Sequence, residues 1–518
     1  MLKFFYNCTL YTGNEENRKN NSFLVEDGRI KAVDQKERLE PHLPQKTKKI
    51  DLEGGVATPG LVDGHTHFLL FSQQLLAFNF SDCNSLQEVL QKTEKDLKKN
   101  PRIGDWILGG GWDQNPWPEG WPNRKDLDRV TGEIPAAFYS KDHHCLWVNT
   151  KALEIAGIDS QTPDPEGGEI SRDKEGQPTG ILKENAKDLV LEKIPPPSLD
   201  VAREALKNGM KEAAKHGLTG VHCFEGQITL QALQQLQREE QLILRFFLGI
   251  PQESLSAAKK IGLTFGLGNE SLRVGHLKVF LDGTLGSQTA AMLEPYQGSE
   301  ENRGIPTMSE EDFSQLAREA VSAGIPLAIH AIGDRVNRLA VDVLENLKKK
   351  SFRYKLRHRI EHSQLLTPRE IPKFGKLNIV PSMQPVHIKD DQDLIKKYWG
   401  EERGKGAFAT KSLIKNGAVL VLGSDAPVET IDPLQGLYYA IFRQGDNMEE
   451  ALTPSEALKG YTYGPAYISG EEKIKGTIER GKLADITIFK DDFLQSPQDL
   501  KNNDILGTIM GGEFTYRK

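Results

Sequence analysis

Short apolar runs recur along the middle of the chain, and stretches with helical spacing separate several of them. The first, PGLVDGHTHF (59–68), is followed by GLTGVHCF (217–224), LILRFFLGI (242–250), LRVGHLKVFLDG (272–283) and IPLAIHAIG (325–333). LRHRIEH (356–362), LNIVPSM (377–383) and GAVLVLGSDA (417–426) bring the number to eight. Between them, DRVNRLAVDVLENLKKK places Val336, Leu339, Ala340, Val343 and Leu344 on one helical stripe, with Asp334 at the expected N-cap. DFSQLAREAVSAG stops on Gly324 before the strand at Ile325-Pro326. Eight strand–helix units predict an α/β fold, a (β/α)8 TIM-like barrel. A doubly wound open sheet is the alternative, but no GxGxxG follows the first strand.

Both ends of the chain carry short β-like runs broken by Asp-Gly, Gly-Gly or Arg-Gly turns. Residues 1–56 and 472–518 are therefore expected to pair into one small composite β-sandwich domain, leaving 57–471 to the barrel. Residues from about 70 to 200 break the strand–helix repeat and hold Trp106, Trp112, Trp117, Trp121 and Trp147. Loops after barrel strands build the catalytic face. This insertion is thus expected to cover a site with aromatic rings, Trp112 among the substrate contacts. The competing reading is that the rings form the insertion's own core.

Polar residues fall at the predicted strand ends. His65 and His67 lie two apart on the first strand, so both project from one face, as a chelating pair would. Lys278 and Asp282 come from strand four, His330 from strand five, His362 from strand six and Asp425 from strand eight. Imidazoles with a carboxylate suit zinc, manganese or iron, zinc being the default. His144 and Asp142 are weaker candidates near a substrate, and His222 is expected to line the pocket. His42, His216 and His276 are read as structural.

Composition narrows the class. A chain of 518 residues, 38% hydrophobic, has room for a large barrel and a satellite domain. The net charge of -7 comes from mixed signs without a basic block, which argues against nucleic acid and anionic membranes as partners. Cys8, Cys83, Cys145 and Cys223 are scattered without a Cys-X-X-Cys, which favours a reducing compartment. The N-terminal stretch does not read as a signal peptide and no apolar run reaches membrane-spanning length. The expectation is a cytoplasmic protein with a small-molecule substrate, a homodimer being allowed.

PGLVDGHTHF, AIHAIGD, RIEH and GSDAPVE together resemble the amidohydrolase superfamily. DPEGGEISRDKEGQPTGILKENA (164–186) and KVFLDGTLGSQTA (278–290) resemble its YtcJ-like branch, which includes N-substituted formamide deformylases. The resemblance spans nearly the whole chain. It implies a metal-dependent hydrolase acting on an amide or related C–N bond other than a peptide bond. It further implies one or two divalent ions held by His65, His67, His330, His362 and Asp425, with Asp425 and His362 catalytic. Lys278 would be carboxylated by CO2 to an anionic bridge. The alternatives are a lysine paired with Asp282, or Glu184 as the bridging carboxylate. An esterase or phosphotriesterase on the same barrel, or a non-catalytic binding protein on a degenerate one, remain the rival functions. One departure stands out: Gln288 occupies the position where an arginine is expected in Gly-Ser-Arg-Thr-Ala.

Overall fold

The computed structural model describes residues 1–14, 21–97, 105–115, 117–140, 145–165, 168–443 and 447–518, with the Glu184 side chain outside them. The chain divides into two units, Met1–Phe68 with Met210–Lys518, and Leu69–Gly209.

The first unit contains an eight-stranded parallel sheet in sequential order. Its strands are β1 (Leu61–Thr66), β2 (Leu218–Cys223), β3 (Arg245–Pro251) and β4 (Leu272–Phe280). β5 (Leu327–Ala331), β6 (Arg359–His362), β7 (Val380–Met383) and β8 (Val421–Leu422) complete it. β8 is much shorter than the apolar run 417–426 suggests. Beyond Leu422 the chain leaves the ladder, and its amides find other acceptors. Ser424 N donates to the Asp63 carboxylate, while Asp425 N donates to His65 O at 2.8 Å. His67 N donates to Ala426 O at 2.8 Å, and Thr66 bridges Ala426 in parallel sense. These contacts close the sheet into the (β/α)8 barrel.

The seam needs two glycines. A Cβ on Gly64 would lie 2.2 Å from Val421 Cγ1, and one on Gly423 would lie 2.5 Å from His65 N. No side chain fits where the first and last strands approach so closely.

The helix after β5 runs from Asp334 to Arg353 and buries Val336, Ala340, Val343 and Leu344, as its stripe predicts. Leu339 is only half-buried, and Val341 takes an inward place instead. The N-cap is Gly333, not Asp334. The Asp334 carboxylate instead accepts Leu293 N at 2.8 Å, tying down the loop after β4.

Strands from both termini share a five-stranded sheet. Val56–Pro59 pairs antiparallel with Ile486–Phe489, which pairs in turn with Ile505–Met510. The expected boundary at residue 56 therefore falls at the start of a strand of this sheet, and Gly60 separates that strand from β1. A second, four-stranded sheet holds Lys3–Tyr6, Ser22–Glu26, Arg29–Asp34 and Lys48–Asp51. Phe5, Phe23 and Ile50 of this sheet share one apolar core with Ile486, Ile488 and Ile509 of the other. The sandwich is tied to the barrel by polar contacts that are almost fully enclosed. Arg245 at the start of β3 donates from Nε and Nη2 to the two oxygens of Asp485, at 2.6 and 2.8 Å. Thr487 Oγ1 donates to Gly217 O and accepts from Leu61 N.

The second unit is built on a six-stranded mixed sheet spanning Phe78–Asn79 to Pro178–Glu184. Trp112, Trp117 and Trp147 pack on one face of it with Phe80 and Phe138, and Trp106 packs in a separate cluster with Leu146 and Leu182. Trp121 is half exposed and lies edge-on to Trp112, with ring centroids 6.2 Å apart. Among the described residues no helix is long and apolar enough to cross a membrane.

Asp485 is the cheapest place to test the union of sandwich and barrel. Removing one member of a buried ion pair strands the other charge, at a cost of about 3–5 kcal/mol. Asp485→Ala is expected to show that loss in denaturant unfolding, and Arg245→Met/Asp485→Leu a clearly smaller one. Equal losses in the two variants would mean that the pair itself, rather than the stranded arginine, sets the cost.

Candidate metal centre

The barrel strands carry their inward side chains in alternation. On β1 this brings His65 into the barrel interior at the C-terminal end of the strand, and it is fully buried. The strand bends at the seam, and His67, partly open, reaches the same place: their ring centroids are 5.8 Å apart. Asp425 joins them from the seam itself. Its Oδ1 lies 3.4 Å from His65 Nε2 and 3.5 Å from His67 Nε2. These three present ligand atoms within 4.8 Å of one another, a spacing that fits one cation.

His362 stands at the end of β6, its ring centroid 4.6 Å from that of His330 and 5.1 Å from that of His65. Two of these residues adopt left-handed backbone that L side chains rarely take, His362 at φ 66° and Asp425 at φ 63°. Regular strand geometry would send Glu361 and His362 to opposite faces. The left-handed turn redirects His362 toward the histidines of β1 and β5. Strain of this kind concentrates where a side chain must be aimed.

His387, in the Pro385–His387 turn after β7, is a member of the site that the sequence reading missed. Its Nε2 is 3.5 Å from Asp425 Oδ2, and with His362 and Asp425 it forms a second possible ligand triad, again within 4.8 Å. The signal was present in the sequence, since Gln384-Pro385-Val386-His387 immediately follows a barrel strand. It was hidden because the apolar run ends at Met383 and His387 lies four residues beyond it, in a turn. Gln384 and Glu361 were missed as well. The first accepts His362 Nδ1–H at 2.8 Å, the second accepts His65 Nδ1–H at 2.5 Å.

Electrostatics favour neutral imidazoles, the form that ligates metal, at His67, His330 and His362, whereas His387 is raised: burial lowers it, but the Asp425 carboxylate beside it outweighs that. Burial lowers His67 to about 4 and His330 to about 3, and drives His362 well below its usual range. Burial pushes the Asp425 carboxyl up, but its hydrogen bond to His387 and the nearby His65 and His362 hold it far below, so it is an anion. Lys278 is buried, and burial lowers it to about 8. Its Nζ has no hydrogen-bond acceptor and sits 4.7 and 4.9 Å from the Phe224 and Phe280 ring centroids. A buried amine without an acceptor, beside histidines and an anion, fits a centre completed by a ligand that binds there.

Several expectations are corrected. Asp282 is not paired with Lys278; its Oδ1 lies 3.6 Å from His330 Nε2. It is buried, and its carboxylate accepts the backbone N–H groups of Ala291, Ile332 and Gly333 at 2.8–3.1 Å, fastening the loop after β4 to the end of β5. Trp112 is wholly enclosed, and its indole N–H donates to Phe138 O. It therefore belongs to the insertion's own core rather than to a substrate surface. His222 accepts from Arg359 deep in the barrel instead of lining a pocket. His276 and His216 are structural, as expected: the first is buried against Arg357 O, the second lies between Glu212 and Asp432. His144, Asp142 and the side chain of Glu184 lie outside the described residues. Gln288 is half-buried in the loop after β4, in left-handed backbone at φ 55°.

A closed parallel barrel with imidazoles and a carboxylate converging at its strand ends defines a metal-dependent hydrolase. The chain belongs to the amidohydrolase family, whose model matches residues 48–516. It is 33% identical to YtcJ of Bacillus subtilis (strain 168), over the full length of both chains. It is 27% identical to the N-substituted formamide deformylase of Arthrobacter pascens, over 99% of this chain and 98% of that one. It is also similar to the crystal structure of an uncharacterized metal-dependent hydrolase from Pyrococcus furiosus. That likeness has a TM-score of 0.81 and 26% identity, and it covers 95% of this chain and 100% of the other.

Trp112→Ala tests whether that ring serves the core. Truncating a buried tryptophan typically costs about 3–5 kcal/mol. The expected outcome is a loss of that size in unfolding of the Leu69–Gly209 unit, with kcat/KM per folded molecule unchanged. A stable variant with altered substrate preference would return Trp112 to the substrate.

Proposed function

We propose that this protein hydrolyses a non-peptide amide bond, of N-formyl or N-acyl type, in a small molecule, with zinc as its metal. The observation that carries the reading is the meeting of six side chains from β1, β5, β6, the turn after β7 and the seam: His65, His67, His330, His362, His387 and Asp425. The deformylase relationship supports the choice of bond, because the sequence similarity to an enzyme of that name runs through nearly the whole of this chain.

His65, His67 and Asp425 would hold one ion, and His362 with His387 or His330 a second. When bound, the ion supplies a water of lowered pKa and polarises the substrate carbonyl. The chain's own groups do the rest. Asp425 takes a proton from the attacking water on a carboxylate oxygen and delivers it to the departing nitrogen, because an amine leaves poorly unless protonated. His387 Nε2 lies 3.5 Å from Asp425 Oδ2 and would aim the carboxylate where His330, rather than His387, completes the second ion's ligands. Gln384 fixes the ring of His362, leaving its Nε2 for the ion or for the substrate carbonyl oxygen.

We assign Lys278 to a carbamate. Its neutral amine would add CO2 at Nζ and release a proton, giving an anion with two oxygens. An unmodified ammonium would instead stand among cations, at a Coulomb cost. All four cysteines are buried and outside any disulfide, which supports a reducing compartment, and we place the protein in the cytoplasm.

Zinc-loaded protein offered matched N-formyl amines, N-acyl amines, esters and phosphotriesters is expected to turn over the amides first. Preference for the esters or phosphotriesters would replace this reading. Asp425→Asn should lower kcat by about 10²–10⁴-fold, the usual contribution of a positioned proton-transfer group. A near-wild-type rate would move the proton transfer to another residue. His65→Ala/His67→Ala should lose both activity and bound metal while the circular dichroism spectrum stays native, and full metal content in that variant would exclude the pair as ligands.

A further inference from the structure

Beneath the histidines lies a pair of charges that the hydrolysis itself does not use. Arg359 and Glu361 are two apart on β6, so both point into the barrel, and each is 0% exposed. Placing an arginine and a glutamate in a barrel core is expensive unless every hydrogen-bonding group is met. Here the partners are specific. Arg359 Nη2 donates to Gly64 O at 2.6 Å, to Ser382 Oγ at 2.6 Å and to Glu361 Oε2 at 2.9 Å. Its Nη1 donates to His222 Nδ1 at 3.1 Å. Arg359 Nε and Glu361 Oε1 face one another as an ion pair, without a hydrogen bond of their own. The guanidinium thus holds β1, β2, β6 and β7 to one point and clamps both oxygens of Glu361.

The remaining contact of Glu361 runs upward. Its Oε2 meets His65 Nδ1 at 2.5 Å, the shortest contact made by any of the site histidines. An ionised carboxylate only accepts, so Nδ1 must carry the hydrogen and Nε2 must be the bare nitrogen. That Nε2 is the atom facing Asp425, and it has no hydrogen-bond donor or acceptor of its own.

We propose that Glu361, clamped by Arg359, is a positioning residue for the metal centre: it locks His65 in the tautomer and ring orientation that offer Nε2 to the ion. The inference rests on the metal centre described above and extends it inward by two residues. The carboxylate also raises the donor strength of the imidazole, as carboxylate–histidine pairs do in metal sites generally. The arrangement is directional, because Arg359 is anchored to three other strands and Glu361 cannot rotate away without stranding it.

The test measures metal affinity rather than turnover. Wild type, Glu361→Gln and Arg359→Gln/Glu361→Gln are stripped of metal, then titrated with zinc against a chromophoric chelator, with thermal unfolding of each apoprotein alongside. Glu361→Gln is expected to bind zinc about 10–100-fold more weakly, the usual effect of losing such a partner. The double variant removes both buried charges and so relieves the stranded arginine, and its apoprotein should regain stability. Its zinc affinity should nevertheless stay low, because His65 is still without its anion. Recovery of affinity in the double variant would overturn the proposal, assigning the loss to the uncompensated arginine. Wild-type affinity in Glu361→Gln would overturn it too. Failure of the wild type itself to bind zinc would instead remove the metal centre on which the proposal stands, an outcome distinct from the other two.

Discussion

The closure of β8 onto β1 is the contact on which the site depends. It is made by few groups: Asp425 N to His65 O, His67 N to Ala426 O, and the Asp63 carboxylate between the amides of His65 and Ser424. The residues that pair across this seam are the same ones that carry the ligands. Barrel closure and ligand assembly are therefore one event. A loose seam would separate Asp425 from the two histidines by the same movement that opened the barrel. Asp63 is buried, and burial raises its carboxyl to about 7 even though three hydrogen bonds from Ser424 and His65 oppose the shift. The demand for close approach also explains Gly64 and Gly423, whose missing side chains make room for the opposing strand.

Beneath the seam the barrel core is unusually polar. Arg359, Glu361, His222 and Ser382 form a connected layer, and Arg245 with Asp485 forms another at the junction with the sandwich. Such buried charges add little net stability over an apolar core. Their effect is to specify geometry, since Arg359 reaches three other strands whose relative heights must then agree, and Arg245 fixes the sandwich on the barrel through Asp485. In the centre above, two imidazoles are oriented from outside the ligand set, His65 by Glu361 and His362 by Gln384. The remaining ring nitrogens are left to converge.

Much of this was legible in the sequence because strands have period two and barrels place chemistry at strand ends. His65 and His67 share a strand face by their spacing, a weak sign alone, and it was the placing of His330, His362 and Asp425 after other apolar runs that made the pair a candidate. The sandwich could be read because the turn signals at the two termini are of one kind. His387 was not legible by that logic, since it belongs to a turn rather than to a strand. Glu361 was hidden beside His362, where alternation assigns the two to opposite faces. Only the left-handed backbone at His362 brings both into use. Asp282 and Trp112 misled for a shared reason. A polar or aromatic residue near a strand end reads as functional, whereas here one carboxylate satisfies three backbone amides and one indole fills a core.

The pairing of Val56–Pro59 with Ile486–Phe489 has a consequence in time. The partner of the early strand leaves the ribosome about 430 residues later. At the usual pace of about 5–20 residues per second, that is an interval of roughly 20–90 s. During it, the strand that leads directly into β1 is paired only with the two residues Thr9–Leu10, its other edge stays open, and the first two ligands of the centre hang from it. Such long-range pairing slows folding and exposes sheet edges to other chains. The nascent protein is thus most vulnerable to association just before its last strands are made. A chain that stops short of residue 486 keeps its histidines but lacks the strand that seats them.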